Sequence, residues 1–253
     1  MRIKTYYAKK AKYYDAVNAY KFRETNEELK FFKRIFKKFN KKIKRILDVC
    51  CGTGRFSIPL GEMGYKVVGI DISKEMLNVA KKKVKKNNKN VALKLVDMRT
   101  YKSKNKFDCV VCGDSSLAHL LTKKEVVKAL RNFHRHLNRN GIFFYDVWNY
   151  IDYRNWKPTD IWTETKGDIK ISIIRKNKID SKGLYRWADD IHVKEGNESF
   201  KLKINSKIKL WKFGEWIKMF KDAGFGTIES YTNLKHVKSH KGIPERYYFV
   251  AVK

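Results

Sequence analysis

The amino-acid sequence predicts an α/β fold, in which a doubly wound, mostly parallel sheet of seven strands carries an inserted antiparallel β-meander. Three observations predict it. Apolar runs alternate with amphipathic segments between Lys44 and Val147, turn-separated extended segments follow between about Tyr150 and Leu210, and a helix and two strands come after them. The 253 residues, of which 43% are hydrophobic, suit one compact unit with a smaller appended part.

Helix starts and stops are indicated by capping signals. The capping box Thr25-Asn26-Glu27-Glu28 predicts the start of an amphipathic helix before the first strand. Ser73 is expected to cap a second helix, and the box Thr122-Lys123-Lys124-Glu125 a third that Asn140-Gly141 ends. The last helix is expected to bury Phe213.

The inserted region is expected to form an antiparallel meander. Three extended segments, at about 169–179, 183–193 and 199–210, are separated by the turn sequences DSKG and EGN. The sequence therefore predicts a small sheet that is distinct from the main one.

The charge and the apolar content of the sequence limit the kinds of partner that the chain can bind. Lys and Arg number 58 against 26 Asp and Glu, which gives a formal net charge of +32. The lysines are spread along nearly the whole chain, so this charge is compatible with a solvated, compositionally biased surface or with a face that binds a polyanion such as nucleic acid. No apolar run approaches the roughly 20 residues that span a bilayer, and we expect a cytoplasmic protein without membrane segments.

The four cysteines do not indicate a metal site. Cys109 and Cys112 form a C-x-x-C sequence, but it falls within FDCVVC, which is typical of a buried strand. Side chains three positions apart on a strand point to opposite faces, so these two thiols are expected to act as small buried apolar groups. We predict no bound metal.

The strongest chemical signal is the segment Asp48-Val49-Cys50-Cys51-Gly52-Thr53-Gly54, which lies where a hydrophobic strand turns into a helix. Gly52 and Gly54 allow a ligand to approach bare backbone and the N–H groups of the next helix. The next strand ends in Asp71-Ile72, 17 residues after Gly54, where a carboxylate can accept hydrogen bonds from ribose hydroxyls. The third strand ends in Asp97-Met98.

From about Tyr13 to Val252 the chain resembles the class I, Rossmann-like S-adenosyl-L-methionine-dependent methyltransferases, because DVCCGTG matches their glycine motif. The resemblance implies S-adenosyl-L-methionine as cofactor. It makes Asp48, Cys50, Gly52, Gly54, Asp71, Ile72, Asp97, Met98 and Cys112 the expected cofactor-binding residues, with Asp71 on the ribose and Asp97 and Met98 on the adenine. The family usually has glycine where this chain has Cys50. A nicotinamide dehydrogenase, the alternative, would need glycine or alanine where Ser57 stands.

The resemblance also divides the chain. Residues 1–40 are expected to form an N-terminal helical segment that contributes to a lid, and residues 41–149 the cofactor-binding core. Residues 150–210 are expected to form the lid insertion, and 211–253 to complete the core sheet. The insertion is similar to the lid of methyltransferases that act on glycine and amino sugars.

Several residues are candidates for substrate and cofactor contacts at the mouth of the site. Tyr14 belongs to a tyrosine-rich N-terminal stretch and is the preferred lid residue, and Arg23 is a weaker candidate for the methionyl carboxylate. His119, Asp114 and His192 could act as a base if the acceptor carries a proton to be removed, with His119 favoured.

The acceptor is constrained by what the sequence lacks. Residues Leu60, Thr159 and Glu245 follow the three prolines, so neither the Pro-Pro-aromatic motif of amino-methylating nucleic-acid enzymes nor a Pro-Cys nucleophile occurs. This leaves methylation of a small molecule, of a protein, or of RNA by an enzyme without these motifs. Because the insertion resembles the lid of glycine and amino-sugar methyltransferases, we expect methyl transfer by in-line displacement to a nitrogen or oxygen of a small molecule. An RNA methyltransferase that uses the basic surface, and a noncatalytic protein that binds the cofactor or RNA, remain alternatives. The sequence predicts no oligomeric state.

Overall fold

The computed structural model of the chain describes residues 11–39, 42–84, 89–149, 158–234 and 246–253, without the side chains of residues 19–23 and 166. Its α-helices are α1 (Tyr14–Val17), α2 (Ala19–Lys38), α3 (Ser57–Glu62), α4 (Lys74–Lys83), α5 (Lys123–His136) and α6 (Phe213–Asp222). Short 3₁₀ turns cover Ala11–Tyr13 and Ser116–His119.

Seven strands form the main sheet. They are β1 (Arg45–Val49), β2 (Lys66–Asp71), β3 (Val91–Leu95), β4 (Phe107–Cys112), β5 (Leu137–Trp148), β10 (Thr227–Tyr231) and β11 (Arg246–Val252), the numbers β6 to β9 belonging to the second sheet. Their order is β10-β11-β5-β4-β1-β2-β3, with β11 antiparallel to both neighbours and the pairs from β5 to β3 parallel. The predicted doubly wound, seven-stranded sheet is confirmed.

The two faces of this sheet carry separate cores. Along β4, Cys109 packs with the side of α2 and α3, whereas Cys112 packs with the side of α5, α6 and the second sheet. Both thiols are buried. The alternation expected for this strand is therefore present, and the cysteines do not face each other.

The inserted sheet has four strands, β6 (Thr159–Lys166), β7 (Ile169–Ile179), β8 (Leu184–Glu195) and β9 (Glu198–Lys209), in that order and all antiparallel. We call it the meander. Sequence analysis predicted three of these strands and missed β6. The meander's inner face, which includes Ile173, Ile191 and Ile204, belongs to the same buried cluster as the main sheet.

Three predicted helix features are wrong. Thr25 is not an N-cap, because α2 begins at Ala19 and the favourable helix formers before Thr25 continue the helix through it. Helix α5 ends at His136, where Leu137 turns into β5, and Asn140 adopts a left-handed φ of 57° inside that strand's irregular start. Phe213 is 37% exposed at the first turn of α6. The predicted caps Ser73 and Thr122 are confirmed.

Gly69 shows how tightly β2 packs under the glycine turn. A Cβ on Gly69 would lie 2.7 Å from Ser57 Oγ, 2.8 Å from Leu93 Cδ2 and 2.9 Å from Cys51 Sγ. We expect Gly69→Ala to lower the free energy of unfolding by about 1–3 kcal/mol, the usual cost of overpacking a core. Urea unfolding measures this loss. Gly214→Ala is the control, since a Cβ there meets no atom within 4 Å, and a similar loss in both variants would contradict the packing argument.

Among the described residues, no helix is long and apolar enough to cross a membrane.

Candidate functional site

The main sheet forms a pocket at the edge where β1 to β4 end. Strands β1 and β4 are neighbours in the sheet, and the chain leaves them in opposite directions along it, which is where open α/β sheets bind ligands. The predicted site residues on the pocket wall are Tyr14, Asp48, Cys50, Gly52, Asp71, Ile72, Asp97, Met98, Asp114 and His119. The structure therefore brings together residues from five separate parts of the sequence.

The carboxylate of Asp71 is held in one orientation at the end of β2. Its Oδ2 accepts a hydrogen bond from the N–H of Gly52 at 2.9 Å, and its Oδ1 accepts one from the N–H of Ser73 at 2.8 Å. Burial raises the pKa of Asp71, and these backbone donors oppose the rise. A carboxylate has about four acceptor positions, so Asp71 can also accept a hydrogen bond from the ligand side.

The glycine turn uses left-handed backbone at three positions. Gly52 has a φ of 55° and Gly54 a φ of 89°, and Cys50 has a φ of 57° although it is not glycine. A Cβ on Gly54 would lie 2.7 Å from Ile58 Cδ1. Gly54 therefore serves the packing of α3 against the turn. It is not on the pocket wall, and its predicted cofactor contact stays a prediction.

The departure at Cys50 has a measurable cost, because left-handed backbone is disfavoured for residues with a Cβ. We expect Cys50→Gly to fold with unchanged or greater stability. Cys50→Val is expected to lose about 1–3 kcal/mol, since β-branched residues are least able to adopt this conformation. Urea unfolding of the two variants side by side measures the difference, and equal stabilities would show that the strain at this position is negligible.

The third strand delivers Asp97 and Met98 to the pocket, but Asp97 already has a partner. Arg99 donates to both oxygens of Asp97, with Nη2 2.6 Å from Oδ2 and Nε 3.0 Å from Oδ1. Burial raises the pKa of Asp97, but the hydrogen bonds from Arg99 outweigh it and the pKa is lowered. Arg99 also bonds Glu125 at 2.7 Å and lies on the pocket wall. Sequence analysis missed Arg99, although its place next to Asp97 could have indicated it.

The loop after β4 is strained where it meets the pocket. Asp114 and Ser115 have φ values of 57° and 58°. The N–H of Asp114 donates to Asp146 Oδ1 at 2.9 Å, and the Ser115 hydroxyl accepts from the N–H of Trp148 at 2.9 Å. These bonds fix a backbone conformation that non-glycine residues rarely adopt, a feature that clusters at functional sites.

His119 connects this loop to the meander. Its Nδ1 lies 3.3 Å from the carbonyl oxygen of Lys207, and its ring centroid lies 6.2 Å from that of Trp187. His119 is therefore at the predicted site mouth, between the pocket and the meander. His192, by contrast, lies on the outer face of β8 and is not on the pocket wall, so the structure does not bring it together with the other candidate bases.

The N-terminal segment, which we define as residues 11–17, bridges the glycine turn and the meander. Asp15 accepts a hydrogen bond from the hydroxyl of Thr53 at 2.6 Å and pairs with Lys83. The hydroxyl of Tyr13 donates to Glu195, 3.1 Å away at the end of β8. These contacts place the intervening Tyr14 on the pocket wall, and its role as a lid residue stays a prediction. Arg23 lies in α2, and its side chain is outside the described residues.

A buried ionic cluster supports the pocket from behind. Arg55, which follows the glycine turn, pairs with Glu28 of α2, and Arg246 of β11 lies 3.5 Å from Glu28 Oε1 and 3.5 Å from Asp146 Oδ2. Glu28 and Asp146 are fully buried. Burial raises the pKa of Glu28 to about 7, with Arg55 opposing the rise. Sequence analysis missed this cluster; only Arg55, next to the turn, carried a signal.

Two predicted cofactor contacts lie deeper than expected. Asp48 reaches the pocket wall but is 2% exposed and accepts a hydrogen bond from Ser57 Oγ, and burial raises its pKa to about 7. Cys112 is fully buried and is not on the pocket wall. Both side chains are therefore buried beneath the glycine turn, at the ends of β1 and β4.

The pocket reverses the charge balance of the chain. Four carboxyl groups line it, those of Asp48, Asp71, Asp97 and Asp114, against the two guanidinium groups of Arg55 and Arg99. In the whole sequence basic residues outnumber acidic ones by 58 to 26. This pocket therefore suits a ligand with positive charge and with hydroxyl or amino donors. No group of three or more potential metal ligands occurs among the described residues.

The sequence of the core matches a family. Residues 46–141, which carry β1 to β4 and most of the pocket, match the methyltransferase-domain family. Residues 46–141 are therefore similar to a methyltransferase domain. YqeM, a putative methyltransferase of Bacillus subtilis (strain 168), is 37% identical to it over 126 residues, which are 49% of this chain and 51% of that protein.

Two further comparisons extend the likeness. A dTDP-3-amino-3,6-dideoxy-alpha-D-glucopyranose N,N-dimethyltransferase of Streptomyces fradiae is 29% identical over 138 residues, 54% of this chain and 52% of that protein. The crystal structure of an S-adenosylmethionine-dependent methyltransferase from Clostridium acetobutylicum ATCC 824 has a TM-score of 0.79 at 18% identity and covers 95% of each chain. The chain spans about half the length of the curated relatives it matches.

These findings confirm the resemblance, the fold class and S-adenosyl-L-methionine as the cofactor of the family. The methyltransferase domain contains the glycine turn, Asp71, Asp97 and the loop after β4, whereas the meander and the N-terminal segment lie outside residues 46–141. The sequence match therefore covers most of the pocket wall and leaves the meander and the N-terminal segment undefined.

Proposed function

We propose that this chain is an S-adenosyl-L-methionine-dependent methyltransferase that acts on a nitrogen or oxygen of a small-molecule acceptor. The observation that carries the proposal is the acid-lined pocket of the methyltransferase domain, placed in a chain with a net charge of +32. The bound cofactor supplies a methyl group on a sulfonium cation, and transfer is an in-line displacement by the acceptor's lone pair.

Each end of the cofactor has residues that fit it. Asp71 is proposed to accept hydrogen bonds from the ribose hydroxyls, because its carboxylate is fixed and keeps free acceptor positions. Met98 and Asp97 are proposed to meet the adenine. The side chain of Arg55, on the wall beside Gly113, is proposed to bind the methionyl carboxylate, a role that sequence analysis assigned to Arg23.

The acceptor is proposed to enter between Tyr14, Asp114 and His119. All three lie on the pocket wall, and His119 contacts the meander, which is proposed to cover this end. This cover favours a small acceptor over a macromolecular one, since a large substrate needs an open approach to the methyl group. His119 is positioned to take the proton that a protonated amine or a hydroxyl acceptor must lose.

The proposal is tested by two measurements on the purified chain. Calorimetry determines whether S-adenosyl-L-methionine binds, and a screen of amino sugars and small primary and secondary amines follows formation of S-adenosyl-L-homocysteine. We expect binding and turnover with at least one such acceptor. Cofactor binding with turnover on RNA alone would overturn the small-molecule assignment. Absence of cofactor binding would overturn the proposal that the chain is a methyltransferase.

His119 provides a test of the proposed base. With an acceptor that is protonated at neutral pH, His119→Ala is expected to lower kcat by about 10²- to 10⁴-fold, the usual contribution of general base catalysis. The affinity for S-adenosyl-L-methionine should change little. His192→Ala is the matched control, because this histidine faces outward on the meander. Equal kcat values for both variants would refute the proposal that His119 acts as a general base.

A further inference from the structure

The meander presents a basic outer face. The side chains that point away from the core along β7, β8 and β9 include eight exposed basic residues, which define the basic face: Lys170, Lys176, Lys178, Arg186, Lys194, Lys201, Lys203 and Lys207. Among the described outward positions of these three strands, one side chain is acidic, that of Asp190. Its carboxylate lies 3.8 Å from the Lys203 ammonium group. The excess of basic groups here is much steeper than in the sequence as a whole.

Several of these cations lie directly opposite one another across the sheet. Lys170 pairs with Lys194, and Lys178, Arg186 and Lys207 form one row across three strands. Arg186 is partly compensated by Asp180, 2.9 Å away in the adjoining turn. Like charges in opposed positions destabilise a sheet, so these rows oppose folding unless an anion lies over them.

We propose that the basic face binds the phosphate backbone of double-stranded RNA. Lysines spaced along strands can neutralise a phosphate ladder without reading bases. No Phe, Tyr or Trp stands among the face's described outward positions, which removes the stacking that single strands require. Hydroxyl groups of Thr163, Thr165 and Ser172 continue the same outer surface and can bond the 2′-hydroxyls that mark RNA.

The basic face and the pocket lie on opposite sides of the meander. The inner face packs on the main core and contacts His119 through Trp187 and the Lys207 backbone. RNA on the outer face is therefore a docking partner and does not enter the pocket as acceptor. This inference does not rest on the proposed enzymatic activity, because it uses none of the pocket residues.

A pair of quadruple variants tests the basic face. The first replaces Lys170, Lys178, Lys194 and Lys201 with glutamine. The second makes the same charge change at four exposed lysines on helices, Lys81, Lys82, Lys124 and Lys221. Binding of a 20-base-pair RNA duplex of mixed sequence is measured by fluorescence anisotropy against salt concentration, alongside a single strand, a DNA duplex of the same sequence and phosphatidylserine vesicles.

The wild-type chain is expected to bind duplex RNA with a steep salt dependence. The first variant should lower the slope of log K against log salt by about 3–4 and weaken binding by more than about tenfold near 0.1 M salt, whereas the second should change both far less. Equal losses of RNA affinity in the two variants would overturn the proposed role of the basic face. A preference of the wild-type chain for vesicles, DNA or single strands would overturn it as well. S-adenosyl-L-methionine affinity should be unchanged in both variants, which separates this result from failure of the proposed function.

Discussion

Replacing Asp71 with alanine is expected to weaken the binding of S-adenosyl-L-methionine by more than tenfold. The carboxylate is oriented by the N–H groups of Gly52 and Ser73, so it is ready to accept from ribose hydroxyls. Loss of hydrogen bonds to a charged group costs about 1.5–3 kcal/mol, which corresponds to roughly 10- to 150-fold in affinity. Isothermal titration calorimetry of the folded variant measures the change.

The control for this experiment is Asp108→Ala. Asp108 lies at the opposite end of the sheet, where it accepts from the N–H groups of Lys44 and Arg45. The substitution changes the net charge equally but leaves the pocket intact, so cofactor affinity should be unchanged. Full affinity in the Asp71 variant, with a circular dichroism spectrum like that of the wild type, would refute the ribose assignment.

The largest effect on stability is expected at the buried ionic cluster. Arg246→Met is expected to lower the free energy of unfolding by about 3–5 kcal/mol, because it leaves Glu28 and Asp146 buried with only Arg55 to compensate them. Arg246 also stacks over Trp148, with the guanidinium carbon 4.0 Å from the ring centroid. Urea unfolding measures the loss.

The control is Arg186→Met, which breaks an exposed ion pair with Asp180. Exposed pairs contribute at most about 1 kcal/mol, so this variant should remain close to the wild type. Comparable losses in the two arginine variants would show that the buried cluster contributes no more than a surface contact.

The stability loss in Arg246→Met should also depend on pH. Burial raises the pKa values of Glu28 and Asp146, and Arg246 opposes both rises, so its removal raises them further. A carboxyl group whose folded pKa is raised stabilises the fold when protonated, and this contribution is lost as pH rises through the folded pKa. The loss is therefore expected to be larger near about pH 8.5 than near about pH 5.5. A constant difference would exclude the carboxyl groups as its source.

Much of the site was predictable because its signals are local in sequence. The glycine turn, Asp71 and Asp97 each follow a hydrophobic strand, and parallel strands deliver their ends to one edge. The caps at Ser73 and Thr122 are equally local, since each hydroxyl accepts from an N–H three residues on. Such features require no knowledge of distant partners.

The parts that sequence analysis missed depend on distant contacts. Glu28 reads as the end of a capping box, but its carboxylate pairs with Arg55 and lies near Arg246, far away in sequence. Strand β6 lacks an alternating apolar face, with polar residues on both sides, and its eight-residue pairing with β7 defines it. Tertiary pairing, and not local pattern, decides such elements.

The N-terminal segment and the meander, the two proposed covers of the pocket, differ in their backbone hydrogen bonding. Both contribute to one apolar core, in which Tyr13 and Val17 of residues 11–17 are buried. The backbone of residues 11–17 forms short helical turns, whereas β8 is hydrogen-bonded to a strand on each side along its length. Short helical turns open locally at a low cost in free energy, whereas central strands open at close to the free energy of global unfolding. We therefore expect ligand exchange to proceed by local opening of residues 11–17, with amide protons there exchanging long before those of β8.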